Sequence, residues 1–128
     1  MNVLSSVNIF ARDLEGLTAF YAGLLELAEK TELRSPIYRA LDAGAVMIAF
    51  NAFEAYALLK LEDFSQTSGV RSLLTFEVGS ADEVARITRE AVARGGRVVK
   101  EPYDTAYGSR QSVLFDPEGN AFRLNAFS

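Results

Sequence analysis

Histidine, cysteine and tryptophan are all absent from this chain. Without cysteine there is no disulfide, no thiolate nucleophile and no sulfur ligand for a metal. Without histidine, the side chain best suited to proton transfer near neutral pH is missing, and no Ser-His-Asp triad can be assembled. No apolar run approaches the ~20 residues needed to cross a bilayer, so no membrane association is expected. The opening residues, Met1-Asn2-Val3-Leu4-Ser5-Ser6, show neither a basic region nor a cleavage site, so no signal peptide is expected. With the missing cysteines, this points to a cytoplasmic protein. There is no Gly-x-Gly-x-x-Gly fingerprint and no Walker motif. The pair Gly95-Gly96 closes a helical segment rather than opening one, so the helix amides point away from any phosphate there.

What the chain does have is apolar material, 49% of 128 residues, with 23% charged. That suffices for one domain, or for two small halves sharing a core. The net charge is -4. Lysine and arginine are scattered and form no basic stripe, so nucleic acid is not an expected partner. The acidic balance favours neutral or cationic ligands.

Val3 to Phe10 reads as a strand, and Asp13 can cap the helix that follows. Leu17, Phe20, Tyr21, Leu24 and Ala28 recur at helical spacing and predict one buried stripe. Strands are expected at Ile37–Leu41 and Ala45–Phe50, joined by a tight link through Asp42-Ala43-Gly44, and a fourth at Tyr56–Leu61. Asp63 to Val70 reads as a linker. The pattern then restarts with a strand at Ser72–Val78 and a capping box of Ser80 and Glu83. A helix follows, with Val84, Ile87, Thr88 and Ala91 on its apolar face and Gly95-Gly96 at its end. Arg97–Lys100 is a short strand and Glu101–Gly108 a loop. Gln111–Phe115 and Ala121–Phe127 form a last hairpin around Pro117 and Gly119. Each half reads strand–helix–strand–strand–strand. One helix covers one face of each sheet, so the other face must meet the opposite half or line a cleft between the sheets.

The segment Asp13-Leu14 with Phe20-Tyr21 and Gly23-Leu24-Leu25 carries a family resemblance. So do the capped helix ending at Gly95-Gly96, the pair Tyr107-Gly108, and the run from Val113 through Asp116-Pro117-Glu118-Gly119-Asn120 to Leu124. In these the chain resembles the vicinal oxygen chelate superfamily, also called the glyoxalase, bleomycin-resistance and extradiol-dioxygenase fold. The resemblance implies an α+β fold: paired βαβββ modules forming an open, cleft-like mixed-sheet barrel with helices outside. It spans a single domain over 1–128, with modules over 1–62 and 70–128. It also implies a homodimer.

Metal-using members supply ligands from four strands, and strand-by-strand matching puts those positions at Ser6, Ala49, Leu73 and Arg123. None suits a divalent metal, which wants converging imidazole, carboxylate or thiolate. No metal and no cofactor is therefore expected. On the last strand Ala121, Arg123, Asn125 and Phe127 share one face. Arg123 falls at the family's cavity-facing position, where its planar fork can bind a carboxylate, a phosphate or an enolate oxygen; the alternative is a salt bridge to an internal carboxylate such as Glu77. Tyr107 matches an aromatic at the family's cavity mouth. Tyr38 or Arg39, Met47, Ala49 and Gln111 complete the candidate ligand-binding set, with plain sheet core as their alternative role. Phe53, Tyr56 and Phe64 can form a lid or a dimer contact.

Three functions follow. One is a metal-independent protein holding a small organic molecule in the inter-sheet cavity, as drug-sequestering resistance proteins do. A second is a metal-independent isomerase, lyase or cyclase acting on a carbonyl or anionic substrate. There Glu77, Asp104 or Tyr107 would serve as acid or base and Arg123 would stabilise an oxyanion. The third is an interaction module with a filled cavity.

Overall fold

The computed structural model describes residues 2–66 and 68–127; Met1, Ser128 and Thr67, the last inside the expected linker, lie outside the described residues. The chain divides into two compact units, Met1–Ser68 and Gly69–Ser128.

The first unit runs β1 (Ser6–Ala11), α1 (Leu14–Leu25), β2 (Tyr38–Asp42), β3 (Met47–Ala52) and α2 (Glu54–Leu58). Asp13 caps α1 as its sequence position suggests, accepting a hydrogen bond from the Gly16 amide at 3.0 Å. Leu17, Phe20, Tyr21 and Leu24 are buried along one stripe. Tyr21 stacks on Phe50 of β3 with ring centroids 5.6 Å apart, which identifies the sheet face that α1 covers. Ala28 does not extend that stripe. The helix ends at Leu25, where Glu26 turns left-handed at φ 54°. Residues 28–30 then pair with β2, the Lys30 amide donating to the Ala40 carbonyl and the Asp42 amide to the Ala28 carbonyl, both at 2.8 Å. A one-bridge edge at Glu29 and Leu41 thus stands where a full strand would complete the module.

The expected strand at Tyr56–Leu61 is replaced by helix α2 and a turn. Glu54, Ala55, Ala57 and Leu58 are good helix formers, and the stretch holds no β-branched residue to favour extension. Tyr56 anchors the segment by stacking on Phe10 of β1 at 3.8 Å, while Lys60 ends it at φ 58°.

The second unit runs β4 (Leu74–Glu77), α3 (Ala81–Ala93), β5 (Arg97–Asp104), β6 (Ser109–Phe115) and β7 (Ala121–Phe127). Val84, Ile87, Thr88 and Ala91 of α3 are buried, as are Leu114, Phe122 and Leu124 of the sheet. Thr88 and Ser112 share a buried hydroxyl–hydroxyl bond at 2.8 Å. The Ser80 hydroxyl caps α3 by accepting from the Glu83 amide at 3.2 Å, but the reciprocal half of the capping box is not made, because the Glu83 carboxylate goes to Arg86 at 2.6 Å. Gly95 adopts φ 98°, and the amides of Gly95 and Gly96 fold back onto Val92 and Ala91, a Schellman ending. The expected loop after Lys100 is instead strand up to Asp104: Tyr103 pairs with Gln111, and Pro102 is tolerated because β5 is an edge strand whose register shifts there.

The Asp116-Pro117-Glu118-Gly119-Asn120 turn is tied from within. Asp116 is buried, and its Oδ1 accepts from the amides of Glu118 at 2.9 Å and Asn120 at 3.1 Å, while Oδ2 accepts from the Asn120 side-chain amide at 2.9 Å. This cage sets the pairing of β6 with β7.

The expected barrel does not form. The sheets are open, with strand orders β1-β3-β2 and β4-β7-β6-β5, and neither closes on itself. Closure needs the outermost strands to find partners along their whole free edges. In the first sheet β2 meets isolated bridges at Glu29 and Ser35 rather than a full strand; in the second, β4 is four residues long and β5 shifts register twice. In each sheet the pair at one edge is parallel, β1 with β3 and β4 with β7, while the remaining pairs are antiparallel. The α+β order and the paired βαβββ-like modules stand. Among the described residues no helix is long and apolar enough to cross a membrane.

Candidate functional site

The face of the second sheet that α3 leaves uncovered carries an ordered row of polar side chains. Register places Glu77 opposite Asn125, Asn125 opposite Gln111, and Gln111 opposite Tyr103, so one row crosses all four strands. The next row runs from Thr75 to Arg123 to Val113 to Lys100. Strand alternation turns Phe122, Leu124 and Ala126 the other way, toward α3.

Within the first row the Asn125 side-chain nitrogen donates to both oxygens of Glu77, at 2.9 and 3.0 Å. Gln111 is gripped from both ends: Tyr103 donates its hydroxyl to Gln111 Oε1, and Gln111 Nε2 donates to the Tyr107 hydroxyl, each at 2.8 Å. Gln111 and Asn125 are buried, and Asn125 Oδ1 has no hydrogen-bond partner among the described residues. In the second row Arg123 Nε donates to Thr75 Oγ1 at 2.6 Å. Arg123 is half-buried and forms no ion pair among the described residues. Its expected internal partner, Glu77, is engaged by Asn125 instead. Lys100 sits over the Tyr103 ring at 3.6 Å, a cation–π contact.

The remaining candidates are distributed differently. Asp104 bonds Arg110 at 3.0 Å and alternates with Tyr103, so it stands away from the polar row, in a depression of about 170 Å³ lined by Ala81, Thr105, Ser109 and Ala126. In the first unit, Tyr38, Met47 and Ala49 lie on the face opposite α1, given that Phe50 packs on Tyr21 and neighbours alternate. Arg39 turns to the α1 side, where it donates to the Ser35 and Tyr38 carbonyls and approaches Glu15 at 3.5 Å. It borders a groove of about 280 Å³ with Thr18, Ala19, Ala22 and Arg34. There Arg34 grips Glu29 with both arms, at 2.6 and 2.9 Å. That hydrogen bonding, helped by the charges of Arg34 and Arg39 and opposed by burial, holds the Glu29 carboxyl below the usual carboxylate range.

Thr75, Asn125, Asn8 and Asn51 belong to these faces but were not singled out by the sequence. Asn51 donates to Asn8 Oδ1 at 2.9 Å, and Asn8 donates to Ser6 Oγ at 3.0 Å, a short polar chain on the first sheet. The signal that finds Asn125 is its position two residues beyond Arg123, hence on the same face; no local pattern marks the others.

The four positions matched to the family's metal ligands stay chemically unsuitable. Register puts Asn8 opposite Ala49 and Thr75, rather than Leu73, opposite Arg123. Amide, hydroxyl, methyl and guanidinium groups do not make a divalent-metal set. No group of three or more Asp, Glu, His or Cys side chains converges among the described residues.

This is a two-unit α+β protein whose second sheet presents a fixed arginine and a buried amide row in place of a metal-ligand set. The Glyoxalase/Bleomycin resistance protein/Dioxygenase superfamily model matches residues 3–124, and the chain belongs to that family. It is 45% identical to a glyoxalase/bleomycin resistance protein/dioxygenase family enzyme from Burkholderia phytofirmans PsJN, over 97% of this chain and 98% of that one, with a TM-score of 0.94. A glyoxalase-related enzyme from Fulvimarina pelagi shares the fold at 19% identity, covering 98% and 88% of the two chains, with a TM-score of 0.80. So does a genomically encoded fosfomycin resistance protein from Listeria monocytogenes, at 19% identity over 100% and 95%, with a TM-score of 0.75. No curated protein matches the chain.

Proposed function

We propose that this protein binds a small organic molecule without a metal and meets an anionic group of that molecule with Arg123. The observation that carries this reading is the way Arg123 is held. Its Nε is committed to Thr75, which orients the guanidinium, and it forms no ion pair among the described residues. A half-buried guanidinium without a counter-charge gains by receiving a carboxylate or phosphate on its two remaining nitrogens. Binding is favoured over metal-independent isomerase, lyase or cyclase chemistry by how the candidate acid and base groups are used. Asp104 is paired with Arg110, Tyr107 with Gln111 and Glu77 with Asn125, and none of them bonds Arg123. The exposed Leu58, Leu59 and Phe64 support self-association as a homodimer.

The test is an NMR titration of the protein with pentanoate in the presence of a chelator. Shifts centred on the Arg123 side chain and the Thr75 amide, lost in Arg123→Gln, are expected. Absence of shifts at Arg123, or a requirement for added divalent metal, would refute the reading. Native mass spectrometry of the same sample reads assembly and any copurified organic mass.

A further inference from the structure

We infer that the ligand is a zwitterion, which places a cationic N–H donor at Asn125 and Glu77 while its anionic end meets Arg123. This rests on the reading of Arg123 as an anion site and adds a second point of recognition to it.

The geometry begins with the orientation of Asn125. An ionised carboxylate has no hydrogen to donate, so the amide end facing both oxygens of Glu77 is the nitrogen. The carbonyl end is thereby turned from Glu77 as an acceptor. It lies in a residue only 2% exposed and has no partner among the described residues. Native proteins rarely leave such an acceptor unmet, because it forfeits its bond to water without replacing it. The cross-strand neighbour Gln111 is tied to Tyr103 and Tyr107. A donor arriving from outside the protein satisfies the orphaned oxygen.

The charge of that donor follows from Glu77. Its carboxylate is solvent-exposed and stands directly opposite Asn125. An ammonium gains a charge–charge attraction there that a neutral donor lacks, and a second anionic group is repelled. Thr75, opposite Arg123, is exposed as well, and both residues lie on β4, an outermost strand of the sheet, so the approach runs along that edge. Arg123 and Asn125 are alternate residues of β7, about 7 Å apart along the strand. One molecule with a short aliphatic spacer reaches both. A zwitterion also reconciles the acidic chain, which attracts cations, with the lone guanidinium, which does not.

The experiment compares 5-aminopentanoate, pentanoate and pentylamine as probes, by NMR titration of the wild type, Asn125→Leu, Glu77→Gln and Arg123→Gln. For the wild type, 5-aminopentanoate is expected to bind about tenfold more tightly than pentanoate, a gap that reports the second contact alone. Asn125→Leu should close that gap. Glu77→Gln, at an exposed position that does not endanger folding, should close it in part. Arg123→Gln should weaken both acids. Equal binding of the two acids by the wild type overturns the zwitterion and leaves the anion site standing, as does a gap that Glu77→Gln leaves undiminished. Failure of both acids to bind overturns the anion site and this inference with it.

Discussion

Replacing Asp116 by alanine tests how firmly the strand that carries Arg123 and Asn125 is set in register. The carboxylate accepts from two backbone amides and one side-chain amide inside a single turn. A hydrogen bond to a charged acceptor contributes about 1.5–3 kcal/mol net. Simple addition over three donors overstates the loss, because Glu118 and Asn120 are half-buried and their freed amides can reach water. A destabilisation of about 2–4 kcal/mol results, which for a chain of this size lowers the melting temperature by roughly 8–16 °C. Asp116→Asn keeps one oxygen for the two backbone amides and sets an N–H group against Asn120, so it should cost about half as much. Thermal unfolding followed by circular dichroism gives the shift, and the Arg123 and Asn125 amide resonances give the register. If Asp116→Ala melted within about 3 °C of the wild type, the cage would not be holding the turn and the reasoning would fail.

Two further outcomes are expected. Thr88 donates its hydroxyl to the Val84 carbonyl, so the shared bond with Ser112 is donated by Ser112. Thr88→Val should then cost about 1–3 kcal/mol in chemical denaturation, and adding Ser112→Ala should recover part of it; a double variant no better than the single would contradict this. The Glu29 carboxyl, lowered mainly by its bonds from Arg34, contributes stability above the pH range where an unfolded carboxylate titrates. That contribution is lost as the pH falls through the folded-state value. Arg34→Gln should therefore raise the Glu29 midpoint, followed by carboxyl carbon NMR, and its stability deficit should shrink in acid; an unmoved midpoint would count against the pairing.

The starts of α1 and α3 and the end of α3 were legible because their causes are local, whereas the left-handed Glu26 that ends α1 before Ala28 was not. Asp13 and Ser80 need only an amide within the next turn, and Gly95 needs only its own freedom to adopt positive φ. The turn at Asp116 was legible for the same reason. Strand extent was less so, since β5 continues past Pro102 only because Tyr103 finds Gln111 across the sheet. Tyr56–Leu61 misled because aromatic and leucine residues suit either state, and the stack of Tyr56 on Phe10 is invisible before folding. Of the candidate site, Arg123 and Gln111 were found through alternation and resemblance. The orphaned oxygen of Asn125 was not, because it depends on Glu77 arriving 48 residues away in sequence to claim the nitrogen.

The parallel pairing of β4 with β7 also sets the order in which the second unit can form. The strand that joins β4 to β6 follows both in the chain, so β4, α3, β5 and β6 leave the ribosome before the element that links them. Helix α3 and the β5–β6 hairpin can assemble early from near neighbours, but β4 must wait until Arg123 is available to face Thr75. Such a unit has a slow, late closing step and keeps an apolar strand surface uncovered until β7 has emerged. Removing even the residues of β7 that bear the polar row would take away the middle of the sheet, not its margin, leaving β4 and β6 with no shared partner.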